Sequence, residues 1–302
     1  MLKRAFGNYD VYGIMSVLGI RKWKTRISMG YFTDLTDEQW ALVEPVFGPQ
    51  EGPGRPRTVN IRRVLDGLMY QVRTSCQWRL LPGDFPPSGT VRYYFDKWNE
   101  DGTLLEIHDC LRRAVRVEQG RNPEPSAIVL DSQSVKTTEA GGERGFDGGK
   151  QVKGRKRQFI VDTQGNLLAV AVHEANLNDG IGSETVLTET HELCPSVTHC
   201  WADRGYRGQL EEWARTQLGI TIEIVTPSAD QIGFAVQPRR WVVERTIAWL
   251  NRCRRLSKDV EHLVKNSAAW IYWASVQRML RFLAPNPDQE RPYLRKSARA
   301  TT

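Results

Sequence analysis

The spacing of apolar residues changes once along this chain, and that change limits the folds open to it. From Tyr31 to residue 119 they recur at helical intervals, while residues 1–30 lack clear periodicity. After GRNPEPS, residues 120–126, they gather into short runs of strand length that alternate with helical stretches. Upstream, Thr36 is placed to cap a helix through DEQWALVEPVF, with Asp37 and Glu38 in its first turn. In NIRRVLDGLMYQVR, Ile61, Val64, Leu65, Leu68 and Val72 share one helical face. After a turn-rich connector, SCQWRLLPGDFPPSG, Ser88 or Thr90 opens a helix through TVRYYFDKWNEDG, and a fourth runs over about 104–117. Downstream, AIVLDSQSV, RKRQFIVDT and LLAVAVHEA read as strands, the last two joined near the QG turn at 164–165. A helix over about 182–193, a strand at 197–202, a helix over about 209–218 and the strand TIEIV follow. RRWVVERTIAWLNRCRRL and AAWIYWASVQRMLRFLA then read as helices, the second a packing element.

This order is compatible with an α/β fold: a ribonuclease-H-like mixed sheet preceded by a small all-α, helix-turn-helix-like unit. The expected division is an extension at 1–30, a helical domain at 31–119, a linker at 120–126, a mixed α/β domain at 127–284 and a loose tail at 285–302. The chain of 302 residues is 40% hydrophobic, enough for a substantial core and against wholesale disorder. A net charge of +7 and a pI of about 9.2 make polyanions plausible partners. The ten tryptophans point to broad aromatic packing. No apolar run approaches the ~20 residues of a membrane span. The amino terminus imitates a signal peptide, but basic Arg21, Lys22, Lys24 and Arg26 stand where a cleavage site belongs. Five scattered cysteines without a CxxC pair fit a reducing compartment. HELCPSVTHC gathers His191, Cys194, His199 and Cys200, but adjacent His199 and Cys200 face opposite sides of a strand. A helix-to-strand connection is therefore favoured over a zinc site.

Three acids stand out. Asp131 is expected to end the first strand and Asp203, in WADRGYRG, the fourth. A carboxylate at either place needs water, a base or a metal. Converging carboxylates repel, and a divalent cation resolves that conflict. Glu244 is the best third acid: Arg240 lies four residues before it and Asn251 seven after, on one helical face. Between the first two strands, Lys150, Lys153, Arg155, Lys156 and Arg157 form a basic run suited to a DNA backbone, which Lys136 could join. Arg204 and Arg207 flank the turn after Asp203. Arg92, Tyr93 and Lys97 mark a polar-aromatic helix suited to DNA contact.

Taken together, LTDEQWALVEPVF, CQWRLLPGDFPPSGTVRYYFDKW, DSQSVKTTE, QVKGRKR, ADRGYRG and PRRWVVERTIAWLNRCRRLSKD resemble bacterial insertion-sequence transposases of the IS-five group, within the IS-four-like DDE superfamily. The likeness covers about residues 31–284. It implies a metal-dependent DNA transposase with Asp131, Asp203 and Glu244 as catalytic triad and metal ligands. It also implies Mg²⁺ or Mn²⁺ as cofactor, two ions in number, and double-stranded DNA (terminal inverted repeats and target) as partner. A homodimer on the DNA and a bacterial cytoplasmic, nucleoid-associated location follow from the same likeness. The family's last-helix signature, Tyr-x2-Arg-x3-Glu-x6-Lys, is met by Arg240 and Glu244. Gln237 stands at the tyrosine and Asn251 at the lysine position, where neighbouring Arg252 is a possible substitute. Two rivals stand beside it: a domesticated DNA-binding regulator, and a nuclease that hydrolyses without joining.

Overall fold

The computed structural model describes residues 30–48, 58–139, 141–226 and 240–286. Among the described residues the first helix is α1 (Asp37–Val43), whose amino terminus is closed by a capping box. Thr36 accepts from the Gln39 backbone, and the Gln39 side chain accepts from Thr36. A 3-10 turn at Glu44–Phe47 follows. Asn60 caps α2 (Ile61–Thr74), and a connector at residues 75–87 leads to α3 (Ser88–Glu100). Residues 101–102 then turn the chain into α4 (Thr103–Glu118), with Gly102 at φ 87°.

Beyond residue 126 the described residues build one six-stranded mixed sheet. Its strands are β1 (Ala127–Lys136), β2 (Gly145–Asp147), β3 (Val152–Asp162), β4 (Leu167–Glu174), β5 (His199–Ala202) and β6 (Thr221–Ile224). β3 pairs antiparallel with β1 on one edge and with β2 and β4 on the other. β1–β5 and β5–β6 are parallel. The order β4-β3-β1-β5-β6 is the ribonuclease-H-like arrangement anticipated from the sequence.

Alternation along β1 divides the core into two layers. Ile128 and Leu130 join Cys200 and Ala202 beneath α5 (Asp179–Leu193) and α6 (Gln209–Trp213). Val129 and Trp201 face the other way, toward α7 (Trp241–Leu250) and α8 (Val264–Leu283). α8 is buried over most of its length and is the axis of the molecule. Phe95 stacks on Trp270 with ring centroids 4.5 Å apart, and Trp98 packs on Trp273 at 5.9 Å. The helices before residue 119 therefore share one core with α8. Residues 120–126 mark a change of secondary structure without slack. Pro123 accepts a hydrogen bond from buried Arg112, whose guanidinium also meets Asp109 and Glu124.

Several boundaries differ from expectation. β1 continues five residues past Asp131, because β3 supplies a partner as far as Lys136. β3 begins at Val152, and with β2 it converts the basic run into a hairpin. α5 starts earlier, at Asp179, where Asn178 caps it. The second half of the 209–218 segment is a π turn, Ala214–Leu218. α7 ends at Leu250, after which the chain tightens into a 3-10 turn at Arg254–Leu256.

Candidate active site

Strand register brings the first two acids together. Val129 pairs with Trp201 across the parallel β1–β5 ladder. Asp131 and Asp203 each stand two residues beyond that pair, so both emerge on the face that α7 covers. Asp131 thus lies in mid-strand, at the point where β5 stops pairing with β1, and not at a strand end. α7 is pinned over this face by its apolar stripe, Val242, Val243 and Leu250, and by two bonds to the β3–β4 turn. Thr246 donates to the Gly165 carbonyl at 2.8 Å and Arg245 to the Gln164 carbonyl at 2.9 Å. Gly165 has φ 85°, and a Cβ there would stand 2.7 Å from Thr246 Oγ1.

The three acids meet around one nitrogen. Arg240 Nη2 lies 3.4 Å from Asp131 Oδ2, 3.7 Å from Asp203 Oδ2 and 3.4 Å from Glu244 Oε1. Exposure rises across the set, from 11% for the Asp131 side chain through 35% for Asp203 to 53% for Glu244. Burial pushes the Asp131 carboxyl above its usual range; Arg240 pulls it back, and the Asp203 charge adds to the rise. Asp203 also accepts from the Gly205 backbone at 2.8 Å, capping the turn Arg204–Tyr206. A Cβ on Gly205 would stand 3.0 Å from Asp203 Oδ1 and 3.4 Å from Asp179 Oδ2, so the glycine lets this turn close against both acids. Gly208, at φ 111°, meets the other backbone demand of the motif.

Among the described residues no three acid, histidine or cysteine side chains form a ready-made ion cage. At the triad a guanidinium stands between the carboxylates. The donor set itself is all carboxylate oxygen, which suits a hard divalent cation such as Mg²⁺ or Mn²⁺. Around HELCPSVTHC the groups turn to separate partners. Cys194 meets Glu124, His199 meets Glu223 at 3.0 Å, and Cys200 is buried in the sheet.

The basic residues divide sharply. Arg155 and Arg157 are 0% and 1% exposed and face inward, because β3 is a central strand. Arg155 pairs with Asp259 at 3.0 Å and donates to the carbonyls of Glu143, Glu261 and His262. Arg157 donates to the Leu256 carbonyl at 2.8 Å and to Gln133 at 3.2 Å. Lys156 is 5% exposed and is held by Asp179 and the Leu177 carbonyl. These three are internal ties, which corrects their reading as a DNA-facing run. Lys136, Lys150 and Lys153 remain exposed. Lys150 reaches back to the Ser132 carbonyl and hydroxyl, both at 3.0 Å, beside Asp131. Arg204, Arg207 and Arg252 are exposed. On α3, Tyr93 is exposed, while Arg92 and Lys97 pair with Asp96 and Asp101 one turn on. Gln237 lies outside the described residues.

Sequence reasoning passed over Tyr206, the one fully buried residue of its turn. Its hydroxyl donates to Gln158 at 2.7 Å, and it lies close enough to Asp131, Asp179 and Asp203 that burial and these charges hold its proton on firmly. An aromatic ring between two exposed arginines was the available signal.

A family model described as "Transposase DDE domain" matches residues 122–277. Another, described as "Putative transposase of IS4/5 family", matches residues 35–108. In Burkholderia cepacia, an "Insertion element IS402 uncharacterized 16.2 kDa protein" is 27% identical over 118 residues, 37% of this chain and 78% of that protein. A "Putative transposase for insertion sequence element IS402" from the same organism is 31% identical over 143 residues, 41% of this chain and 65% of its own length. The "Uncharacterized protein y4sN" of Sinorhizobium fredii is 31% identical over 118 residues, 38% of this chain and 87% of that protein. With the DDE model covering more than half of it, the chain belongs to the DDE transposase family, of the IS4/5 type.

Proposed function

We propose that the chain cuts DNA at the terminal inverted repeats of a mobile element and joins the freed 3′ ends to target DNA. The observation that carries this reading is the convergence of Asp131, Asp203 and Glu244 on a single cationic nitrogen. Asp131, Asp203 and Glu244 would hold Mg²⁺ or Mn²⁺, two ions in all, which when bound supply charge stabilisation at the attacking and leaving oxygens of an in-line displacement. In the first stage a water oxygen displaces the 3′ oxygen from the phosphorus at the element's end. In the second, that 3′-hydroxyl displaces a 3′ oxygen of the target, so one phosphodiester bond is broken for each one formed. The chain's contribution is position and charge. Arg204 and Arg207, on the turn after Asp203, face water where flanking phosphates would pass. Arg240 balances the triad's negative charge, and a bound cation would take over that role. Two DNA ends acting together call for two copies of the chain.

Asp203→Asn is the sharpest test. Asparagine keeps an oxygen for the Gly205 backbone donor and so preserves the local turn while removing the charge. Cleavage and strand transfer on DNA carrying the element's ends should fall on the order of 10³-fold or more, with end binding retained. Normal joining by this variant would remove Asp203 from the triad. Cleavage without joined product by the unmodified protein would point to a nuclease instead.

A further inference from the structure

The β1–β5 ladder ends at the Val129–Trp201 pair, two residues short of Asp131 on one strand and of Asp203 on the other. Past that pair, backbone pairing no longer sets the distance between the two acids. Tyr206 supplies the missing tie. It is buried with Ile128, Leu130 and Ile160, on the face of the sheet opposite Asp131. Its backbone N–H donates to the Asp203 carbonyl at 3.2 Å, so ring and acid belong to one short turn. Its hydroxyl donates to Gln158 Oε1 on β3 at 2.7 Å. Gln158 is the cross-strand partner of Ser132, whose backbone N–H donates to Asp131 Oδ1 at 2.7 Å. One unbroken path therefore runs from Asp203 through Tyr206, Gln158 and Ser132 to Asp131.

The buried Gln158 amide is held in the orientation that this path needs. Its nitrogen faces Asp179 Oδ1 and His173 Nε2, each at 3.3 Å. His173 Nδ1 lies 2.8 Å from the Glu174 carbonyl, which can only accept, so Nδ1 carries the proton and Nε2 is left to accept. Asp179 is itself paired with Lys156 at 3.0 Å. With the amide nitrogen given to two acceptors, its oxygen is the atom turned to the tyrosine. Gly182 leaves room for the imidazole, since a Cβ there would stand 2.3 Å from His173 Nε2. Apolar side chains could fill this space without any need for matched polar partners. What the hydroxyl and amide add is a fixed direction and length.

We propose that Tyr206 is a positioning residue: through Gln158, its hydroxyl fixes the separation of Asp131 and Asp203 so that both acids act on one phosphodiester. What the acids do rests on the transposase reading; the tie itself rests on the hydrogen bonds.

Tyr206→Phe removes the hydroxyl and keeps the ring. In the full chain without DNA, hydrogen exchange at the Gly205 and Tyr206 amides should quicken by about tenfold, while the amides of α8 keep their rates. With saturating end DNA the cleavage rate should fall by about 10²-fold, at an unchanged half-saturating DNA concentration. Ser275→Ala is the control. It also breaks a buried hydroxyl contact, to His108 at 3.1 Å, between α8 and α4. It should lower the melting temperature and leave the cleavage rate of the folded protein as it was. Adding Gln158→Met to Tyr206→Phe removes the stranded amide and should recover melting temperature but not cleavage. Recovery of both together overturns the proposal, as does an equal fall in cleavage in Ser275→Ala. Unchanged exchange at Gly205 and Tyr206 in Tyr206→Phe overturns it without reference to any activity. Absence of cleavage by the unmodified chain, alongside quickened exchange in Tyr206→Phe, counts against the transposition chemistry and leaves the tie standing.

Discussion

Arg155 and Arg240 both meet carboxylates along the same sheet, in opposite ways. Arg155 and Asp259 are wholly buried, 3.0 Å apart, with the remaining guanidinium donors spent on the carbonyls of Glu143, Glu261 and His262. Arg240 spreads one nitrogen over three acids at 3.4–3.7 Å, while its Nε is buried without a hydrogen-bond partner among the described residues. The first pair is saturated and can exchange nothing without unfolding its surroundings. The second is stretched and partly solvated, with surplus negative charge around it. A fold that does chemistry on a polyanion needs both: rigid ties beneath the site and loose ones within it.

Breaking the tight pair should produce the largest effect on stability. Arg155→Met leaves Asp259 buried with Ser267 and its own backbone contacts as the remaining partners, and should cost about 3–5 kcal/mol in chemical denaturation. Adding Asp259→Leu removes the stranded charge and should recover part of that loss. If the single variant melts like the unmodified protein, the contrast with Arg240 disappears.

A buried group that stays neutral sharpens the same contrast. His108 is fully enclosed, 3.1 Å from the Ser275 hydroxyl, and burial pushes its pKa down to about 3. A folded pKa below the unfolded 6.5 gives stability that is present above pH 6.5 and lost as pH falls toward 3. The loss is on the order of 4 kcal/mol across that window. Urea unfolding should therefore show a pH slope there that His108→Gln reduces, and equal slopes in both proteins would assign the acid sensitivity elsewhere.

These contrasts also explain what the sequence disclosed. The strands were readable because apolar alternation is local, and Asp131, Asp203 and Glu244 because each closes or interrupts such a pattern. Arg155 and Arg157 misled for the same reason. A basic run between glycines looks solvated, and its partners, Asp259 and the Leu256 carbonyl, lie about a hundred residues away in sequence. The shared core was hidden likewise: α8 reads as a packing helix, but nothing local shows that Trp270 meets Phe95 from the far end of the chain. The glycines of residues 143–158 allowed a loop or hairpin, but three residues, Gly145–Asp147, carry too little pattern to announce β2 as a strand.

Arg240→Ala should have the smallest effect on stability and the most telling one on ions. Its contacts are long, and two of its three partners are more than a third exposed, so their loss should change unfolding free energy by less than about 1 kcal/mol. Removing the guanidinium leaves the three carboxylates facing one another with only water between them. Their mutual repulsion then favours any divalent cation that can bridge them, and a ligand that binds the folded state alone raises its melting temperature. Millimolar Mg²⁺ should therefore raise the melting temperature of Arg240→Ala by more than that of the unmodified protein, whereas in Asp203→Asn the rise should shrink. An equal rise in all three proteins would mean that the ion binds elsewhere. A larger rise in the unmodified protein would mean that Arg240 helps to hold the ion's surroundings and does not compete for its place.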